Sequence, residues 1–285
     1  MWPEPDHPAV VRRMRTAHAS ARLAMGVRST PGGQHAWGWQ GRTLGQPVTT
    51  PDGVAWLRLA SAPVGGVVET FWNGAIDAQR LLPPSLPRPW LLRWHDGTDR
   101  SWTYRAELHE QAAARTVTDR AVVTTPPQLS APWWAALRNA LGTVAAVPTT
   151  RISIQRGFLA WAMPHYLGIA PGDLADQPWT TAHGDLHYAN LCAPQLHMLD
   201  WEGWGLAPAG YDAAMLHSRS LLAPAAAGRV HAEFGDLLNT AHGRFAELAV
   251  ITELLDAAAN GINTVLAEPL RSRAAALLQQ SAPSV

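Results

Sequence analysis

Apolar and polar positions change rhythm along the chain. Trp37 to Val48 is rich in glycine and aromatic residues, and Thr50-Pro51-Asp52-Gly53 is a turn signal. Val54-Ala55-Trp56-Leu57-Arg58-Leu59-Ala60 follows as an apolar run with one embedded charge, so a β-hairpin over residues 44–60 is the simplest account. Residues 69–82 carry Trp72, Ala75, Ile76 and Gln79 at helical spacing, and Pro83-Pro84 ends the pattern. Trp90 to His95 reads as a strand, Asp96-Gly97 as a hairpin turn and Ser101 to Leu108 as the returning strand. The first 110 or so residues therefore predict a small, mostly antiparallel sheet with one helix.

Beyond residue 110 the text turns alanine-rich and helical. Helices are predicted over 111–121, 131–146 and 151–169, punctuated by Pro126-Pro127 and Pro171-Gly172. Residues 181–205 interrupt with loops and a hairpin, and 210–281 is helical again. There is no internal repeat and no low-complexity linker. The expectation is an α+β, two-lobed architecture: a β-rich lobe over 1–108, a connector near 106–111, and a mostly helical lobe over 109–285.

Composition narrows the function classes. A chain of 285 residues fits one two-lobed unit or two modest domains. Zero formal net charge argues against a nucleic-acid footprint and against electrostatic docking on an anionic membrane. All 22 basic residues are arginine, which excludes a Walker-type phosphate loop with its lysine. The single cysteine, Cys192, excludes an internal disulfide and a cysteine-rich zinc site, and fits a reducing compartment. The start Met1-Trp2-Pro3-Glu4 has no basic segment and no apolar stretch, and no uncharged run approaches the roughly 20 residues that span a bilayer. A soluble, cytoplasmic protein is expected.

The candidate chemistry sits in His183-Gly184-Asp185-Leu186-His187-Tyr188-Ala189-Asn190, followed by Leu199-Asp200-Trp201-Glu202. Leu191-Cys192 and Leu196 to Leu199 flank Ala193-Pro194-Gln195 as a short hairpin. Pairing its strands would make Asn190 and Asp200 neighbours, two oxygen ligands suited to Mg²⁺. Asp185 is left free for another role. The spacing His183-x-Asp185-x-His187 also fits a transition-metal cluster, which explains fewer of these residues.

H-G-D-x-x-x-x-N with a following hydrophobic-D-W-E resembles the signature of the aminoglycoside phosphotransferase and choline kinase-like family, a branch of the protein-kinase fold. The match lies at His183, Gly184, Asp185, Asn190, Leu199, Asp200, Trp201 and Glu202, and Pro208 to Ala214 is similar to the helix start that follows the metal site. The resemblance implies a nucleotide-binding first lobe and a second lobe holding catalytic loop, metal site and acceptor pocket. Asp185 would be the catalytic base, Asn190 and Asp200 metal ligands, and His183 and Asp212 supports of the catalytic loop. The backbone of Ala106, Glu107 and Leu108 would be the hinge that takes the nucleobase. The family expects a strand lysine on the phosphates. Arg58 is the candidate replacement, with Asp77, then Glu69, as its acidic partner, and Gly41 to Gly45 as a phosphate-covering loop. Trp201, Glu202, Trp204, Glu233 and Asp236 are candidates for the acceptor pocket, among scattered acids that include Glu247, Glu253 and Asp256.

The implied reaction is Mg²⁺-dependent transfer of a phosphoryl group from ATP or GTP to a hydroxyl of a small, cationic molecule, an aminoglycoside or basic peptide antibiotic. A metabolic kinase for choline-, sugar- or amino-alcohol-like acceptors and a pseudokinase-like binding protein are the alternatives. The expected partners are nucleotide and acceptor, without nucleic acid or membrane, and the chain is expected to be a monomer or weak dimer.

Overall fold

The computed structural model describes residues 2–170, 172 and 176–280. Pro171, expected to punctuate a helix, and the end of the predicted 210–281 stretch lie outside the described residues. Helix α1 spans Pro8–Ala24. Strands β1 (Arg28–Ser29), β2 (Ala36–Trp37), β3 (Thr43–Thr50) and β4 (Gly53–Pro63) follow, then helices α2 (Glu69–Trp72) and α3 (Gly74–Leu81), strands β5 (Leu91–Thr98) and β6 (Trp102–Glu110), and the short β7 (Arg115–Thr116). Next come α4 (Ala131–Ala145), α5 (Arg156–Leu167), β8 (Trp179–Ala182), β9 (Cys192–Ala193) and β10 (Gly205–Pro208). Helices α6 (Tyr211–Ser218), α7 (Pro224–Leu238), α8 (Ala241–Ala259) and α9 (Ala267–Gln280) complete the chain. The class is α+β, with an antiparallel six-stranded sheet in the order β1-β3-β4-β6-β5 and β2 also on β3. Among the described residues, no helix is long and apolar enough to cross a membrane.

Contacts divide the chain into two units. The first runs through Arg80 and adds Arg88–Ala113 and His197–Glu202; the second holds Leu81–Pro87, Ala114–Leu196 and the chain from Gly203 onward.

In the first unit the β3–β4 hairpin turns at Pro51-Asp52, which sets Gly45 opposite Arg58 and Leu44 opposite Leu59. Period-two alternation along β4 sends Ala55, Leu57 and Leu59 into the core, where they meet Leu44, Val48, Ala106 and Leu108. Helix α1 covers that face with Val11, Met14 and Ala21. It is an addition to the expected single helix. Its start is marked by Pro8 at the first turn, and its apolar stripe is broken by buried His18. Each large aliphatic side chain removed from water here contributes about 1.5–3 kcal/mol.

Three local readings are corrected. Asp96-Gly97 does not turn; both lie within β5, paired with Arg105 and Tyr104. The Asp96 carboxylate accepts hydrogen bonds from Arg105 across the strands. The turn is made instead by Asp99, whose Oδ1 accepts from the backbone N–H groups of Ser101 and Trp102, both at 2.8 Å. Residues 111–121 form no helix: β-branched Thr116 and Val117 extend the chain so that β7 pairs with β9. The helix expected over 69–82 breaks at Asn73 into α2 and α3.

In the second unit α8 is the central helix. Ala246, Ala249, Val250, Ile251, Leu254 and Leu255 are buried around it, and it packs on α5, α6, α7 and α9. Its one fully buried acid, Glu247, accepts a hydrogen bond at 2.8 Å on each oxygen from Arg273 and faces His217 Nδ1 at 2.7 Å. Strands β8 and β10 pair antiparallel and deliver the chain into His183 on one side and α6 on the other.

Candidate functional site

In the second unit, β8 ends at Ala182 and the chain enters His183-Gly184-Asp185. Gly184 has φ +91°, and a Cβ there would lie 2.7 Å from the Gly203 carbonyl oxygen, so only glycine fits. The loop is held by Asp212 at the start of α6. Its carboxylate accepts from the backbone N–H of His183 at 2.7 Å and of Gly184 at 3.0 Å. Burial raises the Asp212 pKa, while the His183 charge and those two N–H groups oppose the rise. His183 is fully buried, and its Nδ1 accepts from the Asp185 backbone N–H at 3.4 Å. Tyr188 to Asn190 makes a single 3-10 turn, and Asn190 Nδ2 donates to the Asp185 carbonyl oxygen at 3.0 Å. That bond commits the amide nitrogen and leaves the side-chain oxygen as the group a cation can use.

The Asp185 carboxylate is half-exposed. Arg219 Nη2 donates to Oδ1 at 3.0 Å, and His187 Nε2 lies 3.4 Å from Oδ2. Burial pushes its pKa up, but the charges of His187 and Arg219 outweigh it and hold the carboxyl well below the ordinary range. Tyr211 donates a hydrogen bond to Glu253, a residue of α8. Glu253 is raised from 4.5 to about 7, first by burial and, against the Tyr211 bond, also by the charges of Asp185 and Asp256. Asp256 accepts a hydrogen bond from Tyr166 at 2.8 Å. Asp212 and Glu253 are the acids whose pKa the Asp185 charge raises, and Asp256 in turn acts on Glu253. Glu233 pairs with Arg229 one helical turn away, and Asp236 with Arg138 at 3.0 Å. Trp204 is fully buried and packs against the Arg151 guanidinium, so it is a core residue rather than a pocket wall.

In the first unit, Arg58 on β4 stands directly across from Glu107 on β6. Its Nη1 donates to Glu107 at 3.1 Å; its Nη2 donates to Glu202 and lies 3.8 Å from Asp200. Among the described residues these three carboxylates are its ion-pair partners; the helix residues Asp77 and Glu69 are not among them. Burial would lower the Arg58 pKa, but Glu202, Glu107 and Asp200 raise it above the ordinary arginine value. Burial likewise pushes Glu107 up, and Arg58 and His109 bring it down below its usual range. Asp200 has φ +60°, a left-handed conformation uncommon outside glycine, and its carboxylate is 42% exposed. Trp201 is buried and its indole N–H donates to the Met198 carbonyl at 2.9 Å, which closes the turn behind Asp200.

Two first-unit expectations change. Ala106, Glu107 and Leu108 are interior to β6, which pairs with β4 on one side and β5 on the other. Their backbone groups are engaged in the ladders, so they present no free edge to a nucleobase. Gly41 is buried against Pro5 and Val10, and Gly45 lies under the Trp56 ring, so both are packing glycines rather than a phosphate-covering loop. Asn190 and Asp200 fall in different units. The residues missed in the sequence were the Glu107 side chain, Arg219 and Gly74. Only the strand register could have signalled the first.

No family model matches the chain, and no curated protein matches it. Among solved structures it is similar to a thermostable mutant of aminoglycoside phosphotransferase APH(4)-Ia in ternary complex with ADP and hygromycin B. That match has a TM-score of 0.65 at 14% identity and covers 94% of this chain and 99% of that one. It is also similar to a microcompartment-associated aminopropanol kinase, with a TM-score of 0.53 at 13% identity, covering 91% and 94%. The chain shares the fold of these proteins over nearly its whole length.

Proposed function

We propose that the protein belongs to the aminoglycoside phosphotransferase and choline kinase-like family and is a nucleotide- and Mg²⁺-dependent O-phosphotransferase acting on a hydroxyl of a small cationic molecule. The observation that carries this reading is the braced Asp185 loop. Asp212 fixes its backbone, Asn190 closes it, and Asp185 stays ionised and half-exposed. In the proposed reaction Asp185 orients the acceptor hydroxyl and takes its proton as the oxygen attacks the γ-phosphorus. The bond to the β–γ bridging oxygen breaks and nucleoside diphosphate leaves.

Asn190 and Asp200 are the proposed metal ligands. An amide oxygen and an exposed carboxylate are the hard donors Mg²⁺ takes, and it binds through one or two protein carboxylates plus nucleotide phosphates. When bound, Mg²⁺ would neutralise charge on the transferring phosphate. Arg58 remains the proposed cation toward the phosphates. For the acceptor, Glu253, which feels the Asp185 charge, supports an amine close to the reacting hydroxyl, which fits an aminoglycoside or a basic peptide antibiotic. A cytoplasmic location is part of the same reading.

A binding-only role is the second reading, favoured by one observation: Arg58 is already engaged by three carboxylates. Incubation with Mg-ATP or Mg-GTP and a panel of amine-bearing acceptors decides. Transfer by the wild type that is lost in Asp185→Asn supports the enzyme. Nucleotide binding without transfer to any acceptor supports the second reading.

A further inference from the structure

Arg58 carries more contacts than a phosphate grip requires. Three carboxylates converge on one guanidinium, and they differ in kind. Glu107 is 3% exposed and belongs to the rigid middle of the sheet, where the register places it directly opposite Arg58. Asp200 and Glu202 are both about two-fifths exposed and belong to His197–Glu202, a segment distant in sequence that packs into the same unit. A guanidinium is planar and forked, so one edge can face a buried anchor while the other faces a second group. Here Nη1 takes Glu107 and Nη2 takes Glu202 and Asp200. The segment it reaches is under strain at Asp200, and Gly74 lies close against the Glu202 backbone. A strained turn keeps one geometry only where surrounding contacts over-determine it.

We infer that Glu107 is a positioning residue: through Arg58 it fixes the segment that presents Asp200, so the sheet itself sets the geometry of the proposed metal-binding carboxylate. This rests on the phosphotransferase reading above. The orienting carboxylate for the β4 cation comes from the neighbouring strand. Without Glu107, Arg58 loses its sheet anchor while keeping Asp200 and Glu202 as partners. It then follows the exposed ends of those side chains rather than holding them.

The test measures affinity for Mg-ATP and the Mg²⁺ concentration needed for half-maximal nucleotide binding, with melting temperature in parallel. Glu107→Gln keeps the shape and removes the charge. It is expected to raise the Mg²⁺ requirement by about tenfold, equivalent to about 1.4 kcal/mol, with little change in affinity for nucleotide without Mg²⁺. Should Glu107→Gln fold poorly, Glu107→Asp keeps the charge, leaves Arg58 in place and withdraws the anchoring carboxylate by one methylene. It is expected to melt near the wild type yet to show the same raised Mg²⁺ requirement. Wild-type Mg²⁺ dependence in either folded variant overturns the inference. Failure of the wild type itself to bind Mg-nucleotide overturns instead the function on which it rests.

Discussion

Gly74 opens helix α3, and its sequence context gives a prediction opposite to that of the structure. Alanine is the better helix former by about 1 kcal/mol, so on propensity alone Gly74→Ala stabilises. In the fold, an ideal Cβ at position 74 would lie 2.6 Å from the Glu202 carbonyl carbon, with other Glu202 backbone atoms closer still. Carbon atoms settle at about 3.5–4.0 Å, so one of the two backbones must retreat by roughly 1 Å. Neither obstacle is a flexible side-chain tip. Arg105 tightens the junction, donating to the Trp72 carbonyl and to Asn73 Oδ1, both at 2.8 Å. Overpacking of this kind destabilises by about 1–3 kcal/mol. The displaced strand of chain carries Asp200 and Glu202, and a misplacement of about 1 Å in a catalytic group lowers turnover by about 10²-fold. The assay is paired: thermal melting of Gly74→Ala, and phosphoryl transfer with Mg-ATP. A lower melting temperature with turnover reduced by about two orders of magnitude is expected. A variant that melts higher and turns over like the wild type would refute the argument that this contact holds the segment.

Other outcomes follow from the same geometry. Glu247 is held down from 4.5 to about 2, against its burial, by Arg273 and His217, so it contributes about 3 kcal/mol of stability above pH 4.5. That contribution disappears as pH falls toward 2, and Glu247→Gln should lose it at neutral pH, both read by denaturant melts across pH. Glu253 has the opposite sign. Its pKa is raised from 4.5 to about 7, so the native state loses up to about 3 kcal/mol as pH rises through that window, and Glu253→Gln should melt higher than the wild type at pH 8. Its catalytic consequence is checked separately, as a raised KM for a polyamine acceptor. Asn190→Ala should raise the Mg²⁺ requirement for transfer and loosen the Asp185 backbone, visible as faster amide exchange at Asp185.

Legibility in the sequence followed the distance over which each contact is written. The Asp185 loop lies within one contiguous stretch, and its brace, Asp212, sits at a helix start marked by Gly210. The 44–60 hairpin was readable from the alternation along β4, and the helical stretches after residue 130 from their long alanine-rich runs. The environment of Arg58 was not. Its partners come from a strand register 49 residues away and from Glu202, 144 residues away, and no local pattern encodes either. Helix α1 was hidden because His18 interrupts its apolar stripe and arginines crowd its polar face. Asp96-Gly97 carried a turn signal that a cross-strand pair with Arg105 overrode, and the alanines of 112–114 masked a β-branched stretch that pairs with β9. Glu233 and Asp236 had the right charge for an acceptor pocket, but arginines on the neighbouring surface already take them.

The central claim is that Asp185 serves phosphoryl transfer to a hydroxyl. Its most direct test is mass spectrometry of acceptors after incubation with Mg-ATP or Mg-GTP, across a panel spanning aminoglycosides, basic peptides and small amino alcohols. The account predicts one added phosphoryl group on an amine-bearing acceptor and release of nucleoside diphosphate. Asp185→Asn should slow this by about 10²–10⁴-fold while leaving the fold intact. No phosphorylated product from any acceptor with the wild type, or equal product from Asp185→Asn, would contradict it.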